Sequence, residues 1–422
     1  MATKKTDIPT LIADSTKASL QSFNHDYGKQ WTFGENWNNV NTMFETYVNK
    51  YLFPKINETL LIDIALGNRF NWLAKEQDFI GQYSEEYVIM DTIPIEMNLS
   101  KSEELMLKRN YPRMATRLYG SGIVKKQKFT LNNNDVRFNF QTLGDATNYA
   151  LGVLRKKISD INVQEEKEIR AMMVDYAINQ LGDSNRRTAA SKEELTERVF
   201  EAILNMQNNS AKYNEVNKAS GGSVGQYTTV SKLKDIAILT TDSLKSYLLD
   251  TKIANTFQMA GIDFTDHIIS FDDLGGVYKT TQDVTLSNED TITYLRAFGD
   301  YQAVLGDVIP TGSVFTFDVT DLKEFNTKVE EIKPDGELFA FIFDINALKY
   351  KRNTKGMLKE PFYNGEFDEV THWIHYYSFK AMSPFFNKIL ITEEPQEETE
   401  ETEETEACLL YTSPSPRDSW AS

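Results

Sequence analysis

The sequence predicts an α+β protein in which a second domain interrupts the first. Helical periodicity dominates residues 145–182, and runs of β-branched and aromatic residues occur both before this stretch and long after it. The length agrees, because 422 residues allow two or three domains with sizeable cores. The interrupting domain is expected to mix helices and strands.

Two consecutive helices are predicted between Asp145 and Gly182. In the first, the apolar face is Ala150, Leu151, Leu154 and Ile158, and the water-facing side is Arg155, Lys156 and Lys157. Asn162 and Glu165 have the spacing of a capping box, so the second helix is expected to begin there. Gly182 is expected to end it in the left-handed conformation.

The second helix is predicted to bury one side only. Its mostly apolar side is Ile169, Met172, Met173, Tyr176 and Gln180, and its wet side is Lys167, Arg170 and Asp175. The two helices together predict a rod on which sheets pack. An ordinary amphipathic pair inside an α+β enzyme fits the periodicity equally well, so the flanking segments must decide.

The composition is that of an ordinary globular protein, with 41% hydrophobic and 25% charged residues. The net charge is −17, but nine of the negative charges are glutamates between Glu393 and Glu406, a run that predicts a disordered tail. Residues 1–392 hold 44 basic and 52 acidic side chains. This mildly acidic body disfavours a nucleic-acid-binding surface over the whole molecule and leaves room for local basic patches.

No apolar run reaches the length of a membrane-spanning helix, and residues 1–27 lack a hydrophobic secretory segment. We therefore expect synthesis in a cytoplasm and no membrane contact. The only cysteine, Cys408, lies in CLLYTSPSPRD, which looks like the translation of a transposase adapter used in sequencing libraries. With residues 408–422 set aside for that reason, disulfides and thiolate metal sites are excluded.

The first 40 residues carry isolated aromatic residues at no sustained period, which predicts an arm that orders against something else. Helical spacing follows from Asn41 to Leu66, interrupted at Pro54. From Glu85 the pattern becomes that of strands. Residues 129–131 and 136–140 flank a run of turn-forming residues, which predicts a β-hairpin.

Helix and strand patterns alternate over the rest of the chain. Ser191 with Glu194 opens a capped helix, and residues 240–242 cap another that runs from Ser243 to Leu249. Strands are expected at Ile236–Leu239, His267–Phe271, Phe339–Phe343, Glu369–Phe379 and Lys388–Thr392.

No catalytic, cofactor-binding or metal-binding residue is predicted. The glycine cluster at residues 221–225 lacks the Lys-Ser or Lys-Thr of a phosphate-binding loop. His372 and His375 are three residues apart in a predicted strand, so they are expected to point to opposite faces rather than to one metal. Solvated turns are expected at two acidic pairs, Asp263 with Asp266 and Asp272 with Asp273.

Several segments carry a resemblance to a known family. They are FETYVNKYLFPKINETLLIDIALGNRFNWLAKEQDFIGQYSEEY from Phe44, LKRNYPRMATRLYGSGIVKKQKF from Leu107, AILTTDSLKSYL from Ala237, FIFDINALKYKRNTKG from Phe341 and DEVTHWIHYYSFKAMSPFFNKILI from Asp368. Over residues 10–392 the chain resembles the major capsid proteins of tailed phages, which have the Hong Kong 97-like fold. It is most similar to those of picovirus-type short-tailed phages of Gram-positive bacteria.

The resemblance implies the layout of that fold. The expected parts are an N-terminal arm and helix at 1–66, an extended β-hairpin loop at 67–144, the spine helices of the P domain at 145–185, an inserted A domain at 186–336, P-domain return strands at 337–392, the acidic disordered tail at 393–407 and adapter-derived residues at 408–422.

The resemblance also implies a structural, non-enzymatic function in the virion, namely self-assembly into hexamers and pentamers that form an icosahedral head around double-stranded DNA. The expected partners are copies of the chain, scaffolding protein, portal, and packaged DNA held without sequence specificity on the inner surface. No cofactor is expected. The alternative is the shell protein of a host-encoded nanocompartment of the same fold.

Residues 101–128 form the most basic stretch, with eight Lys or Arg against Glu103 and Glu104. On a short helix, Arg109, Arg113 and Arg117 would align on one face and meet acids of a neighbouring capsomer. The candidate intersubunit contacts are therefore Arg109, Arg113, Arg117, Lys125 and Lys126, with DNA phosphate as the competing partner.

Overall fold

The structure is a computed structural model. It describes residues 8–28, 30–33, 47–52, 69–70, 73, 75–76, 83–91, 113–120, 123–132, 142–208, 211–216, 227–250, 267–274, 276–285, 308–309, 311, 314–317, 329–334, 336–353, 359 and 361–394. Several predictions lie outside these residues: the glycine cluster at 221–225, the pair Asp263 and Asp266, the second hairpin arm at 136–140, and the tail beyond Glu394.

The described helices are α1 (Ile8–Tyr27), α2 (Leu143–Asp175), α3 (Lys192–Gln207) and α4 (Asp242–Leu249). The described strands are β1 (Lys75–Glu76), β2 (Tyr83–Ile89), β3 (Met114–Gly120), β4 (Ile123–Asn132), β5 (Arg186–Ala189), β6 (Ile236–Thr240), β7 (Ile268–Ser270), β8 (Gly276–Thr280), β9 (Val284–Thr285), β10 (Val308–Ile309), β11 (Val314–Phe317), β12 (Val329–Ile332), β13 (Phe339–Asp344), β14 (Leu348–Asn353), β15 (Phe362–Asn364), β16 (Glu369–Met382) and β17 (Lys388–Glu393).

α2 is one continuous helix, so the prediction of two helices is wrong. It begins after Thr142, whose Oγ1 accepts a hydrogen bond from the Asp145 amide at 3.2 Å. Asn162, the predicted start of a second helix, is buried in the middle of α2. Residues 143–175 contain no proline and bury side chains along their whole length, so packing outweighs the local capping signal.

The end of α2 also differs from the prediction. The helix continues into a π-helical turn, Tyr176–Gln180, and Leu181 then turns extended with φ −69°. Gly182 has φ −64°, so it is not the left-handed terminator that was expected. Of the predicted apolar side, Ile169, Met173 and Tyr176 are buried, Met172 is half-buried and Gln180 is exposed.

Two five-stranded sheets lie along α2. The first sheet has the order β1-β14-β16-β15, with β4 paired to the other edge of β16, and the second has the order β5-β17-β13-β6-β7. The β14–β16 ladder ends at the pair Leu348 and Met382, and the β13–β17 ladder begins just beyond at Phe343 and Lys388. The same two chain segments therefore pass from one sheet into the other. A three-stranded sheet, β11-β8-β12, contacts α2 as well.

Most predicted elements of the second half are confirmed. Ser191 caps α3 and Thr241 caps α4, as the sequence indicated. The strand predictions correspond to β6, β7, β13, β16 and β17. Residues 129–131 lie in β4, which pairs with β16 from Asn132 opposite Glu369 to Ile123 opposite Ser378. The first half of the predicted hairpin therefore belongs to a long-range sheet.

Phe23 and Trp31 of the N-terminal segment pack within the chain itself, which corrects the prediction that these aromatic residues need an external partner. Phe23 at the end of α1 and the following Trp31 belong to a buried cluster with Tyr47, the first half of α2 and the first sheet. The helical spacing predicted from Asn41 is described only at its centre, where Val48–Leu52 forms a π-helical turn. Two further clusters join the second half of α2 to both sheets, and α3 and α4 to the second sheet.

Candidate subunit-contact surfaces

β2 and β3 form a separate two-stranded ribbon, hereafter the ribbon. Residues paired across an antiparallel ladder point to the same face, and Ile89 lies opposite Met114 while Tyr87 and Leu118 occupy alternate positions on that face. These four apolar side chains, the outer ribbon face, are 64% (Tyr87), 57% (Ile89), 62% (Met114) and 63% (Leu118) exposed. A contiguous exposed apolar surface of this kind marks an interaction site.

The inner ribbon face is held to the body by polar contacts. Glu86 accepts a hydrogen bond from the Tyr119 hydroxyl at 2.7 Å and pairs with Lys349 Nζ at 2.9 Å. Burial raises the pKa of Glu86, but hydrogen bonds from Ser383, Lys349 and Tyr119 outweigh it and hold that pKa below its usual range. Glu86 is therefore an ionised group fixed between the ribbon and β14.

A second link joins the ribbon to the first sheet. Lys351 Nζ donates to Ser84 Oγ at 2.9 Å, and the Tyr119 ring meets the Phe379 ring edge-on with centroids 5.8 Å apart. Both contacts use the inner face. The ribbon thus has one face fastened to its own subunit and one face open.

Beneath the ribbon lies a buried lysine that the sequence pattern did not single out. Lys388 is fully buried at the start of β17, and its Nζ donates to the Tyr176 hydroxyl at 3.0 Å and to Glu215 at 3.1 Å. It also donates to the Ser383 carbonyl, and Tyr176 donates a short hydrogen bond to Glu215. Burial lowers the pKa of Lys388 to about 8, although the Glu215 carboxylate opposes the shift.

A similar network fixes the middle of α2 against the first sheet. Glu165, expected to be a capping residue, is buried and accepts hydrogen bonds from Lys380 Nζ at 2.8 Å, Ser378 Oγ at 2.9 Å and the Tyr350 hydroxyl at 2.9 Å. Burial lowers the pKa of Lys380, but the carboxylates of Glu165 and Glu168 more than offset this and raise it. Every partner comes from the same subunit.

The wet side predicted for α2 is also wrong at two positions. Arg170 is buried and forms a bidentate ion pair with Asp273, in the turn between β7 and β8. Asp175 is 3% exposed and pairs with Lys279 of β8 at 3.1 Å. The turn holding Asp272 and Asp273 was expected to be merely solvated. Instead it docks on α2 through Asp273, and strands far along the sequence cover this side of the helix.

The predicted contact residues divide between two elements. Arg113 directly precedes β3 and Arg117 lies within it, both exposed, so the expected short helix is wrong there. Arg117 lies opposite Glu86, on the inner ribbon face, and it helps to lower the pKa of Lys388. Lys126 is exposed on β4, where Lys125 is its neighbour in the strand. Arg109 is outside the described residues.

The two histidines of β16 point to opposite faces, as predicted. His372 is 2% exposed and stacks on Phe129 with ring centroids 5.0 Å apart, whereas His375 is half-buried on the other face. Burial lowers the pKa of His372 to about 4.

In the part of the chain that the structure describes, no cluster of three His, Cys, Asp or Glu side chains could hold a metal ion. None of the described helices is both long enough and apolar enough to cross a membrane.

Comparisons with known proteins agree with this architecture. The profile of the Phi29-like phage major capsid protein family matches residues 12–392. The major capsid protein of Staphylococcus phage S13' is 77% identical over 396 residues, covering 93% of this chain and 98% of that protein. For the major capsid protein of Staphylococcus phage 44AHJD, the identity is 76% over 399 residues, again covering 93% and 98%. A chain of the capsid structure of Staphylococcus phage Andhra is 94% identical, with a TM-score of 0.72, covering 92% of this chain and 100% of that chain.

The mixed helix and sheet fold and these similarities define a phage capsid protein, a structural component of the virion and not an enzyme. The chain belongs to the Phi29-like phage major capsid protein family. It acts in an oligomeric shell built from copies of the same protein. Since the relatives named are phage proteins, the nanocompartment alternative is not favoured.

Proposed function

We propose that the chain forms hexamers and pentamers that close into an icosahedral head around double-stranded DNA, with the Hong Kong 97-like layout. In this assignment α2 is the spine helix, the ribbon belongs to the extended loop at 67–144, and residues 186–336 form the inserted A domain. The order of elements supports it, because residues 186–336 separate α2 from the return strands at 337–392. The return strands contribute to both sheets, since β13 and β17 pair with β6 and β5.

The outer ribbon face is the observation that carries the proposal. Its four side chains are exposed in the subunit although the body buries apolar residues and pairs its buried charges thoroughly. Obligate interfaces are large and apolar at their centre, typically about 2,000 Å² or more in total. A neighbouring copy covers the outer ribbon face, and Arg109, Arg113, Arg117, Lys125 and Lys126 are the polar contacts proposed around such interfaces.

The other proposed partners are those that a shell enclosing a genome requires. Scaffolding protein and portal are needed where a shell must reach one size and admit DNA. Packaged DNA touches the inner surface without sequence specificity, through scattered cations rather than a dedicated site, because the body is mildly acidic.

Expression of the chain, followed by analytical ultracentrifugation and electron microscopy, tests the proposal. We expect capsomers or closed shells, with or without a co-expressed scaffolding protein. A compact, stable monomer under all assembly conditions would contradict it.

A further inference from the structure

The first sheet has a cationic face on the side away from α2. Along β4 and β16, residues on this side include Lys126, Lys128, Trp373 and His375, because paired residues share a face: Lys128 lies opposite Trp373, and Lys126 opposite His375. Lys359 joins them, since its amide donates to the Trp373 carbonyl at 2.9 Å. We call these five residues the cationic sheet face.

The positive charges on this face are close together and open to solvent. Lys126, Lys128 and Lys359 are exposed, and Lys128 Nζ lies 5.8 Å from the centroid of the Trp373 ring. Among the described residues, none of the three lysines forms an ion pair with a carboxylate. Lys126 lies directly opposite His375 in the ladder, and partial burial, then the charges of Lys359 and Lys126, lower the pKa of His375. Glu369 lies on the same face, four residues before Trp373, so the three lysines outnumber it there.

The same chain contains a segment of opposite charge with no assigned role. Seven glutamates lie between Glu397 and Glu406, spaced by single threonines. The described chain ends just before them, where the Glu394 amide donates to the Ala189 carbonyl at 3.1 Å. We propose that, in the shell, the cationic sheet face of one subunit binds the glutamate run Glu397–Glu406 of a neighbouring subunit. The inference rests on the proposed shell.

Distances along the fold favour a neighbouring subunit as the partner. Glu165 contacts Ser378 and Tyr176 contacts Lys388, so the two strand residues are separated by eleven residues of helix, about 17 Å. Trp373 lies five strand residues before Ser378, about 17 Å further toward the start of α2.

The tail starts at the other end. Glu394 follows Lys388 by six residues, about 20 Å along the continuation of β17 away from the first sheet. Measured along α2 and the two strands, the path from the cationic sheet face to the start of the tail is about 50 Å. Glu406 is twelve residues after Glu394, about 40 Å at full extension. The extended run is shorter than this path along its own subunit, so we assign its partner to a neighbouring subunit of the shell.

DNA phosphate is the other anion that such a face could meet. The tail is favoured because every subunit in a shell supplies one at high effective concentration, typically about millimolar for a tethered segment. The mildly acidic body also repels DNA from the rest of the surface.

Carbodiimide cross-linking of purified particles tests the proposal, because it joins a carboxylate to a contacting lysine as an amide. We expect covalent dimers on a denaturing gel, and peptide mass spectrometry should find Lys126, Lys128 or Lys359 joined to Glu397–Glu406. Lys232 and Lys234, exposed before β6, serve as the internal control and should give few such links. Links from the tail mainly to other lysines, or links within one chain, would overturn it.

Matched variants separate this proposal from the proposed function. Ending the chain after Glu394, or Lys128→Gln with Lys359→Gln, should leave shell formation intact. The truncation and the lysine substitutions should each lower particle stability at low salt. Combining them in one chain should lower it no further than either does alone. Lys232→Gln with Lys234→Gln should match wild type. Absence of all shells in the wild type would contradict the proposed function instead. Additive losses, unchanged particle stability, or loss of genome-filled particles only would contradict the tail contact, and the last would favour DNA.

Discussion

The buried networks along α2 and the outer ribbon face differ in where their unfavourable groups are satisfied. The networks bury charged side chains within the subunit, whereas the ribbon exposes apolar side chains to solvent. Glu165, Arg170 and Lys388 are charged, yet each is buried with partners from its own subunit. Tyr87 and Leu118 are apolar, yet they are 64% and 63% exposed in that subunit. A subunit that satisfies its costly charges internally and leaves apolar surface open is built to fold alone and to bury the rest by association.

The largest effect on the fold is expected from breaking the Lys388 network. Lys388→Met keeps the length of the side chain but leaves Glu215 partly buried without its cation. Removing one partner of a buried pair typically costs about 3–5 kcal/mol. Urea unfolding of the unassembled subunit should show this loss. Adding Glu215→Gln should recover most of it, and a loss below about 1 kcal/mol in the single variant would contradict the network.

Arg170 offers the next test, and it reverses the ranking that the helical pattern indicated. From the pattern alone, Met172→Asp is the severe change and Arg170→Asp the mild one. In the structure Arg170 is buried against Asp273 and Met172 is half-buried, so Arg170→Asp should be the more destabilising, by roughly 3 kcal/mol. Thermal melting of both variants compares them directly. An equal or greater loss of stability in Met172→Asp would contradict the burial of Arg170 and support the faces that the helical pattern predicts.

Acid should weaken the first sheet through His372. Its pKa is about 4 in the folded chain against 6.5 in the unfolded chain, so the unfolded state binds more protons between these values. The contribution of neutral His372 to the free energy of unfolding is fully present above pH 6.5. It falls as the pH drops toward 4, by up to about 3 kcal/mol. His372→Gln should flatten this part of the stability profile, whereas His375→Gln, on the half-buried face, should change it little. Parallel profiles for wild type and His372→Gln would contradict the assignment.

The sequence indicated much of the fold and less of the contact surface. Caps at Ser191 and Thr241, and the opposite faces of His372 and His375, follow from local chemistry and period alone. The burial of Arg170 and Glu165 does not, because strands more than 90 residues further along the chain supply their partners.

The outer ribbon face was missed for a different reason. Residues 87–90 are continuously apolar, which indicates a buried strand, and only the pairing of β2 with β3 separates the exposed Tyr87 and Ile89 from the buried Met90. Alternation of Met114 and Leu118 with Arg113 and Arg117 was the available signal. The four-residue spacing of the arginines also fits a helix, and this fit hides the two-faced ribbon.

The ribbon should give the smallest change in subunit stability, and it tests the central claim most directly. Tyr87→Glu with Leu118→Glu alters only open positions, so the unassembled subunit should unfold within about 0.5 kcal/mol of wild type. The fraction of protein sedimenting as shells should nevertheless fall to background, because four carboxylate oxygens enter the buried centre of an interface. Val230→Glu, at an apolar residue that is also 54% exposed but lies outside the ribbon, should assemble normally. Shells formed in normal yield by the ribbon variant would contradict the account.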